Sequence, residues 1–308
     1  MLHRVNFVQI MATIAVFYYT QTGQTFEILK SICNPLQSEG HNVIYKEIIP
    51  EPAFDYPWSS KSFFEAFPES REGIACCDIK DTDLSDAQNS DLAIIGWQPW
   101  FLSPSIPVHV FLRDEKIMKF LSGRPTITVT GCRNMWITAF NRIKSYLNDS
   151  DARLIGNIVL QDRHSNLISV ITIIRWLLYG KKEKSTLLPA GGVSDADVEN
   201  AGRFGSIIGK YLDGKIKAQD LHPELLSEGA IKIKPGIAFA EKNGYKIFGA
   251  WSKFILKKGP YGSPRRSLRL TIFKYYLFVV IYLISPVGLL LYYSVYPFLP
   301  KKDLTKLR

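Results

Sequence analysis

Residues 13–25 read TIAVFYYTQTGQT, and this stretch decides the fold. Its first part, residues 13–19, is dominated by apolar and aromatic side chains, as is typical of a strand buried on both faces. A polar loop rich in hydroxyl groups follows over residues 20–25, and apolar residues then recur at helical spacing up to residue 36. The order of strand, loop and helix predicts a ligand-binding loop at the carboxyl end of the first strand of an α/β sheet.

The same alternation continues along the chain and predicts a doubly wound parallel sheet of five strands. The other strands are predicted over residues 42–48, 92–96, 126–130 and 154–160, and the helices over residues 106–121, 136–147 and 195–212. We therefore predict one α/β domain over residues 13–213, with an irregular excursion at 50–86 and an insertion at 163–194. We expect residues 1–12 to form an N-terminal tail, 214–267 a basic extension of weak periodicity, and 268–308 an apolar, membrane-associated helical segment.

Composition points to a membrane as the first partner. The chain has 308 residues, 46% of them hydrophobic, and a formal net charge of +10. No acidic residue interrupts the basic residues between positions 246 and 274, directly before the most apolar stretch. A basic segment beside an apolar one favours anionic lipid over nucleic acid. The four cysteines lack the spacing of a zinc site or an evident disulfide, which predicts reduced cytosolic thiols and no metal site.

The uncharged stretch over residues 275–299 is about 25 residues long, enough at about 1.5 Å per residue to cross a hydrocarbon core of about 30 Å. Pro286 and Gly288 interrupt it, and basic residues flank both ends, with Lys301, Lys302 and Lys306 beyond it. The positive-inside rule places both flanks in the cytoplasm and favours a hairpin kinked at Pro286 over a single span. A soluble helix pair packed on the domain remains an alternative.

A second apolar run, residues 167–178, is interpreted either as a buried helix or as the lining of an entrance for a lipid-like substrate.

Three loops follow predicted strands and have the composition of a ligand site. The first, residues 20–25, contains no lysine and no GxxxxGK pattern, which argues against a nucleoside-triphosphate loop. The second, residues 96–101 (GWQPWF), offers aromatic planes that suit a flat conjugated ring. The third, residues 131–136 (GCRNMW), places an arginine and an amide where they could stabilise negative charge on a reduced ring or an enolate.

The sequence resembles a known superfamily at these loops. TQTGQT fits the flavodoxin phosphate loop, T/S-x-T-G-x-T, at every position, and residues 91–112 resemble the third strand, ring-binding loop and following helix of flavodoxin-like oxidoreductases. The combination of YYTQTGQ, GCRNMW and a basic then apolar tail is most similar to the flavodoxin-like aromatases of dialkylresorcinol and flexirubin biosynthesis. That resemblance implies FMN as the cofactor, oxidation of a dialkylcyclohexane-1,3-dione to a dialkylresorcinol, and a ketosynthase as partner. The basic charge and the long extension depart from plain flavodoxins and argue against a shuttling electron carrier.

The resemblance also implies roles for individual residues. The FMN phosphate would be bound by Thr20, Thr22, Gly23 and Thr25, with Gln21 and Gln24 completing the loop. The loops after the third and fourth strands would border the ring and the substrate through Trp97, Gln98, Pro99, Trp100, Gly131, Arg133 and Asn134. Tyr19 and His164 are candidate proton acceptors by location alone, and Arg133 is a candidate for stabilising charge.

Other interpretations of the same residues remain. The first loop could be an ordinary capping turn, the tryptophans 97, 100 and 136 could be core residues, Arg133 could be salt-bridged and His164 could be structural. The alternative functions are a membrane-associated NAD(P)H:quinone-type reductase or electron-transfer flavoprotein, and a flavin-free membrane scaffold. We expect the protein on the cytoplasmic face of the inner membrane, and the sequence leaves a homodimer open.

Overall fold

The computed structural model describes residues 11–295, which contain one five-stranded parallel sheet. Its strands are β1 (Thr13–Tyr18), β2 (Asn42–Glu47), β3 (Leu92–Trp97), β4 (Pro125–Cys132) and β5 (Arg153–Gln161). They lie in the order β2-β1-β3-β4-β5 and all pair in parallel. This is the flavodoxin-like strand order, which changes direction between β1 and β3, where ligands bind in such sheets. The predicted fold class is confirmed.

The helices predicted over residues 106–121 and 195–212 are each divided into two shorter helices in the structure. In chain order the helices of the described chain are α1 (Gln24–Ser38), α2 (Ser60–Glu65), α3 (Phe67–Glu72), α4 (Ile106–Phe111), α5 (Glu115–Leu121), α6 (Ile137–Asp149), α7 (Asn166–Tyr179), α8 (Asp195–Glu199), α9 (Gly202–Leu212), α10 (Ala218–Ser227), α11 (Pro235–Leu256), α12 (Ser267–Val279) and α13 (Ser285–Val295). The excursion at 50–86 carries α2 and α3 and a pair of two-residue strands, and the extension from residue 214 is mainly helical.

Helices cover both faces of the sheet because successive side chains of a strand point to opposite sides. Ile14 and Val16 of β1 pack in one core with α1, α9 and α10. Ala15 and Phe17 pack in the other core with α4, α5 and α6. Both cores are almost fully buried, so the continuous apolar run of β1 is explained by burial on its two faces.

The C-terminal apolar segment is one continuous helix as far as it is described. A π-helical turn, Val280–Ile284, joins α12 to α13, and we call these three elements together the tail helix. The predicted hairpin kinked at Pro286 is therefore wrong, because the helix continues through this proline to Val295. A proline cannot donate to the preceding turn and its ring crowds the carbonyl four residues earlier, and the wider π turn beside it provides room. Residues 1–10 and 296–308, with Leu299, Lys301, Lys302 and Lys306, lie outside the described residues.

A buried ion pair fixes the start of the tail helix to the domain. Arg266 is fully buried and its two terminal nitrogens donate to the Glu69 carboxylate at 2.6 and 2.9 Å, while its Nε lies 3.0 Å from a Glu65 oxygen. Phe273 stacks on Phe67 with ring centroids 3.9 Å apart. Arg266 therefore belongs to the packing of the tail and does not add to the basic surface that the sequence suggested.

Beyond this contact the tail helix is apolar and outward-facing. Residues Pro264–Val295 form a helical run of 32 residues with mean hydropathy 2.0 in its most apolar window, and none of that window is buried in the protein. Its length and composition are sufficient to cross a membrane.

Candidate functional site

The loop over residues 20–25 turns from the carboxyl end of β1 into α1. Gly23 directly precedes α1 with φ 87°, in the left-handed region that favours glycine. A Cβ atom built on Gly23 would meet no other atom within 4 Å. The backbone therefore makes a tight turn whose outer side faces open space, which allows a ligand to approach the loop closely.

Polar groups of this loop are left without partners. The hydroxyl oxygens of Thr20 and Thr25 are buried and accept or donate no hydrogen bond within the described residues. The first backbone amides of α1 have no intrahelical acceptor, as at the start of any helix. Buried hydroxyls without partners are costly unless a ligand satisfies them, and a helix start favours an anion. The loop fits a phosphate group on these observations.

Two glutamines hold the loop in place. The Gln21 side chain accepts from the Tyr19 hydroxyl and donates to the carbonyl of Asp55 at 2.7 Å. The Gln24 side chain both donates to the Val193 carbonyl at 2.9 Å and accepts from the Val193 amide at 3.0 Å. These bonds tie the loop to the excursion and to the insertion, so Gln21 and Gln24 hold the loop in position.

One cavity of about 470 Å³ connects this loop to the two other predicted loops. This volume lies in the range of small-molecule and cofactor sites, about 300–1,000 Å³. Of the predicted site residues, the cavity is lined by Gln21, Thr22, Gln24, Thr25, Gln98, Pro99, Trp100, Gly131 and Arg133. Nine of the predicted site residues therefore lie around one cavity.

The aromatic loop forms a tight hairpin at the cavity wall. Pro99 pairs with Pro104 and Trp100 with Ser103 in an antiparallel ladder. Between them Phe101 and Leu102 have φ values of 51° and 64°. Two successive non-glycine residues in the left-handed region cost energy that surrounding contacts must offset, and such strain gathers at functional sites.

Trp97 does not border the cavity, which corrects its predicted role. It is fully buried in the core on the α4–α6 side, and its ring lies parallel to that of Phe140. The reason is strand alternation, because Ile95 and Trp97 share one face of β3. Trp136 is likewise a core residue beside Phe140. Of the three tryptophans in the predicted loops, Trp100 alone lines the cavity.

Arg133 brings a positive charge to the cavity. Its Nη1 donates to the side-chain oxygen of Asn166 at 2.6 Å and to the Asn166 carbonyl at 3.1 Å, and no carboxylate of the described residues lies within ion-pair distance. Burial lowers the pKa of its guanidinium. Asn134 donates to the same Asn166 oxygen at 3.0 Å without lining the cavity, so it supports the arginine's partner. A desolvated arginine without an acidic partner favours an anionic ligand.

The two candidate proton acceptors lie away from the cavity lining. Tyr19 is buried behind Gln21, and burial, followed by the nearby Cys77 and Glu47, raises the pKa of its phenol. His164 is paired with Asp162 at 2.7 Å and its side chain is 37% exposed. Among the described lining residues the titratable side chains are Cys132 and Arg133, and burial raises the pKa of the Cys132 thiol. The described lining thus supplies no side chain suited to act as a general base near neutral pH.

Several lining residues were not predicted as site residues. They come from the excursion, from α7, from α11 and from the tail helix, and include Trp58, Phe63, Asn166, Trp176, Phe239 and Leu277. The apolar run at residues 167–178 was the feature of the sequence that could have indicated some of them. Several of its residues line the cavity, which agrees with its interpretation as the lining of an entrance. No pattern in the sequence indicated that α11 lines the cavity, because its apolar residues do not lie on a single face of the helix.

The comparisons with known proteins add structural likenesses at low similarity. No family model matches the chain, and no curated protein matches it. A flavoprotein from Lactobacillus acidophilus in complex with FMN is 17% identical, with 48% of this chain and 93% of that chain covered and a TM-score of 0.38. Flavodoxin 1 from Bacillus cereus is 12% identical, with 67% and 99% covered and a TM-score of 0.37. Likenesses of this degree carry no argument about a ligand or an activity, which must rest on the site itself.

Proposed function

We propose that this chain is a flavodoxin-like, FMN-dependent oxidoreductase. The observation that carries the proposal is the single cavity that joins a hydroxyl-rich helix start, an aromatic hairpin and an arginine without an acidic partner. Thr20, Thr22, Gly23 and Thr25 would hold the FMN phosphate. Gln98, Pro99 and Trp100 would border the ring, with Gly131 and Arg133 on the opposite loop.

The chemistry divides between the cofactor and the chain. FMN, when bound, supplies an acceptor for a hydride that a substrate loses. The chain supplies binding and electrostatics, because the cavity is largely apolar and its one charged lining residue among the described residues is Arg133. A positive charge in a site of low polarity stabilises a negatively charged substrate more strongly than it would in water.

A cyclic 1,3-dione is the specific substrate class we propose, with aromatisation to a dialkylresorcinol as the reaction. Such a dione is acidic enough to give its proton to water and enter as an enolate. This suits a cavity in which Arg133 supplies a positive charge and no described lining side chain can act as a general base. The ring then loses one hydride, and the resulting neutral dienone tautomerises to the resorcinol. One proton to solvent and one hydride to the acceptor account for the two hydrogens that separate dione from resorcinol.

The test is a single turnover without oxygen. Purified full-length protein saturated with FMN is mixed with a 2,5-dialkylcyclohexane-1,3-dione, and we expect visible flavin absorbance to fall while one resorcinol forms per bound FMN. Oxidised flavin and no resorcinol would overturn the aromatase proposal. Rapid flavin reduction by NADH or NADPH without dione would favour the quinone-type reductase. Failure to take up FMN at all would favour the flavin-free scaffold.

We also propose that the protein is attached to the cytoplasmic face of a membrane through its tail helix. The apolar surface of this helix and the exposed Lys253, Lys257 and Lys258 near its beginning support the attachment. Lysines at this position would meet the anionic headgroups of the cytoplasmic leaflet.

A further inference from the structure

The cavity has a second half that the FMN site does not use. Beyond Arg133 its walls are formed by α7, α11 and the tail helix, through side chains such as Ile173, Ile174, Ile247, Leu277, Ile281 and Leu289. Among the described lining residues of these three elements no side chain is charged, and the polar ones are Asn166, Asn243 and Ser285. The FMN site and this half share one continuous space, which is polar at the phosphate loop and almost wholly apolar here.

The tail helix forms a long wall of this apolar half. Its lining residues run from Leu277 to Leu289, which spans about 18 Å at about 1.5 Å per residue. Other side chains of the same helix, including Leu283 and Leu290, are 66% and 72% exposed. One helix therefore presents apolar side chains both to the cavity and to the outside, where lipid would match them.

We infer that this half of the cavity binds the alkyl chain of an amphiphilic substrate, which reaches it from the bilayer around the tail helix. The acidic head of the substrate would lie beside Arg133 and the chain would extend between α7, α11 and the tail helix. The assignment of the head rests on the proposed function, whereas the assignment of the chain rests on the apolar walls alone.

Gly288 offers a direct way to fill the chain site. It lies in the cavity wall, and a Cβ atom built on it meets no atom within 4 Å. The open space at its Cβ position leaves room for a side chain to begin there, and we expect Gly288→Trp to occupy part of the space assigned to the chain. Leu290→Trp is the matched control, because this exposed residue of the same helix is not part of the cavity lining.

The experiment compares 5-methylresorcinol with 5-undecylresorcinol as probes. Their binding to full-length protein in one fixed detergent is followed by quenching of tryptophan fluorescence. We expect the long homologue to bind the wild type and Leu290→Trp at least about a hundredfold more tightly, because each buried methylene adds to the affinity. In Gly288→Trp this preference should fall to within about threefold, with little change for 5-methylresorcinol.

A second pair of variants on α7 keeps the test independent of the folding of one variant. Ile174→Trp, which narrows the cavity, should reduce the chain preference, whereas Ile168→Trp on the outside of the same helix should not. Equal affinities of the two homologues for the wild type would overturn the inference, as would an unchanged preference in both cavity variants. Because tryptophan quenching needs no flavin, a chain preference in protein that fails to bind FMN would sink the proposed function and leave the chain site standing.

Discussion

Arg133 carries the charge that the proposed chemistry needs, and its hydrogen bonds to Asn166 hold it at the cavity wall. Arg133→Gln removes this charge and keeps a side chain that can still donate to Asn166. A hydrogen bond to a charged group contributes about 1.5–3 kcal/mol, so we expect kcat/KM for the ionised dione to fall by about 10-fold to 100-fold. Steady-state kinetics at fixed pH measure this.

The control for this prediction is Arg175→Gln on α7. Arg175 donates to the carbonyl of Glu183 and does not line the cavity, so kcat/KM should stay within about twofold of the wild type. Equal losses in both variants would indicate a general effect of lost positive charge and contradict a specific role for Arg133.

His109 gives the molecule a built-in acid sensitivity. It is fully buried, its Nε2 donates to the carbonyl of Ser70 at 2.9 Å and its Nδ1 accepts from the Tyr146 hydroxyl at 2.8 Å. Burial, with a smaller contribution from Arg142 and Arg113, lowers the pKa of His109 to about 3. In the unfolded chain this histidine takes up a proton below about pH 6.5, whereas in the folded protein it does so only near pH 3.

The sign follows from linkage. The unfolded state binds more protons between about pH 6.5 and pH 3, so this group lowers the unfolding free energy by up to about 1.4 kcal/mol per unit of falling pH. His109→Gln should lack this dependence, and the stability difference between wild type and variant should shrink as the pH falls from 7.5 to 5. Urea unfolding in a mild detergent measures it, and a difference that does not vary with pH would contradict the assignment.

Single residues also show how far sequence reasoning reaches. The phosphate loop was predictable because its residues are contiguous and their spacing is set by one turn. Trp97 and Tyr19 were misplaced because the sequence shows that a residue ends a strand but not which face its side chain takes there. Asn166, which fixes Arg133, lies 33 positions away, and such a contact depends on how the insertion folds back.

The attachment of the tail helix depends on the buried Arg266, which pairs with Glu69 and Glu65. Arg266→Met would leave the Glu69 carboxylate buried without its partner, which typically costs about 3–5 kcal/mol. We expect a corresponding loss of unfolding free energy in detergent. In the double variant Arg266→Met/Glu69→Met, part of that loss should be recovered, because apolar side chains replace the Arg266–Glu69 pair at little cost while the Glu65 carboxylate still lacks its arginine.

Arg265→Met is the matched control for this element. Arg265 is the exposed neighbour in the chain, and its replacement should change the unfolding free energy by no more than about 0.5 kcal/mol. An Arg266→Met protein as stable as the wild type would show that the ion pair does not hold the tail helix in place.

Among whole elements, the strands and the first helix were predictable, and the extension was not. The central strands β1 and β3 are buried on two faces and read as apolar runs, whereas the edge strand β2 is partly exposed and was found from its place in the alternation of strands and helices. The helix α11 touches α3 on one side and lines the cavity on another, so its apolar residues show no single stripe. The prediction of a chain reversal at Pro286 was wrong, because a π turn beside the proline lets the helix continue. No sequence pattern predicts such a turn.

The molecule as a whole combines an α/β domain with an apolar outer surface on its tail helix, and this predicts membrane binding. Leu283→Lys/Leu291→Lys places two charges on residues of the tail helix that are 66% and 63% exposed and contact no cavity. We expect the wild type to float with vesicles containing anionic lipid and the variant to float at least about tenfold less. The charged side chains would have to enter hydrocarbon, at about 2.5–3.5 kcal/mol each near its centre.

The outcome separates attachment from chemistry. Unchanged FMN binding in this double lysine variant, measured in detergent, would show that the domain is intact. Equal flotation of wild type and variant would contradict attachment through the tail helix and leave the basic surface as the remaining explanation of any binding to vesicles.

The central claim is that residues 20–25 hold the phosphate of FMN, and it is tested most directly by comparing FMN with riboflavin, which lacks only that phosphate. The dissociation constants for full-length protein, freed of any bound flavin, are measured by quenching of flavin fluorescence, with Thr25→Val as the matched variant. We predict that FMN binds the wild type at least about a hundredfold more tightly than riboflavin, and that Thr25→Val reduces this ratio by about tenfold with little change for riboflavin. Equal affinities of the wild type for the two flavins, or binding of neither, would contradict the account.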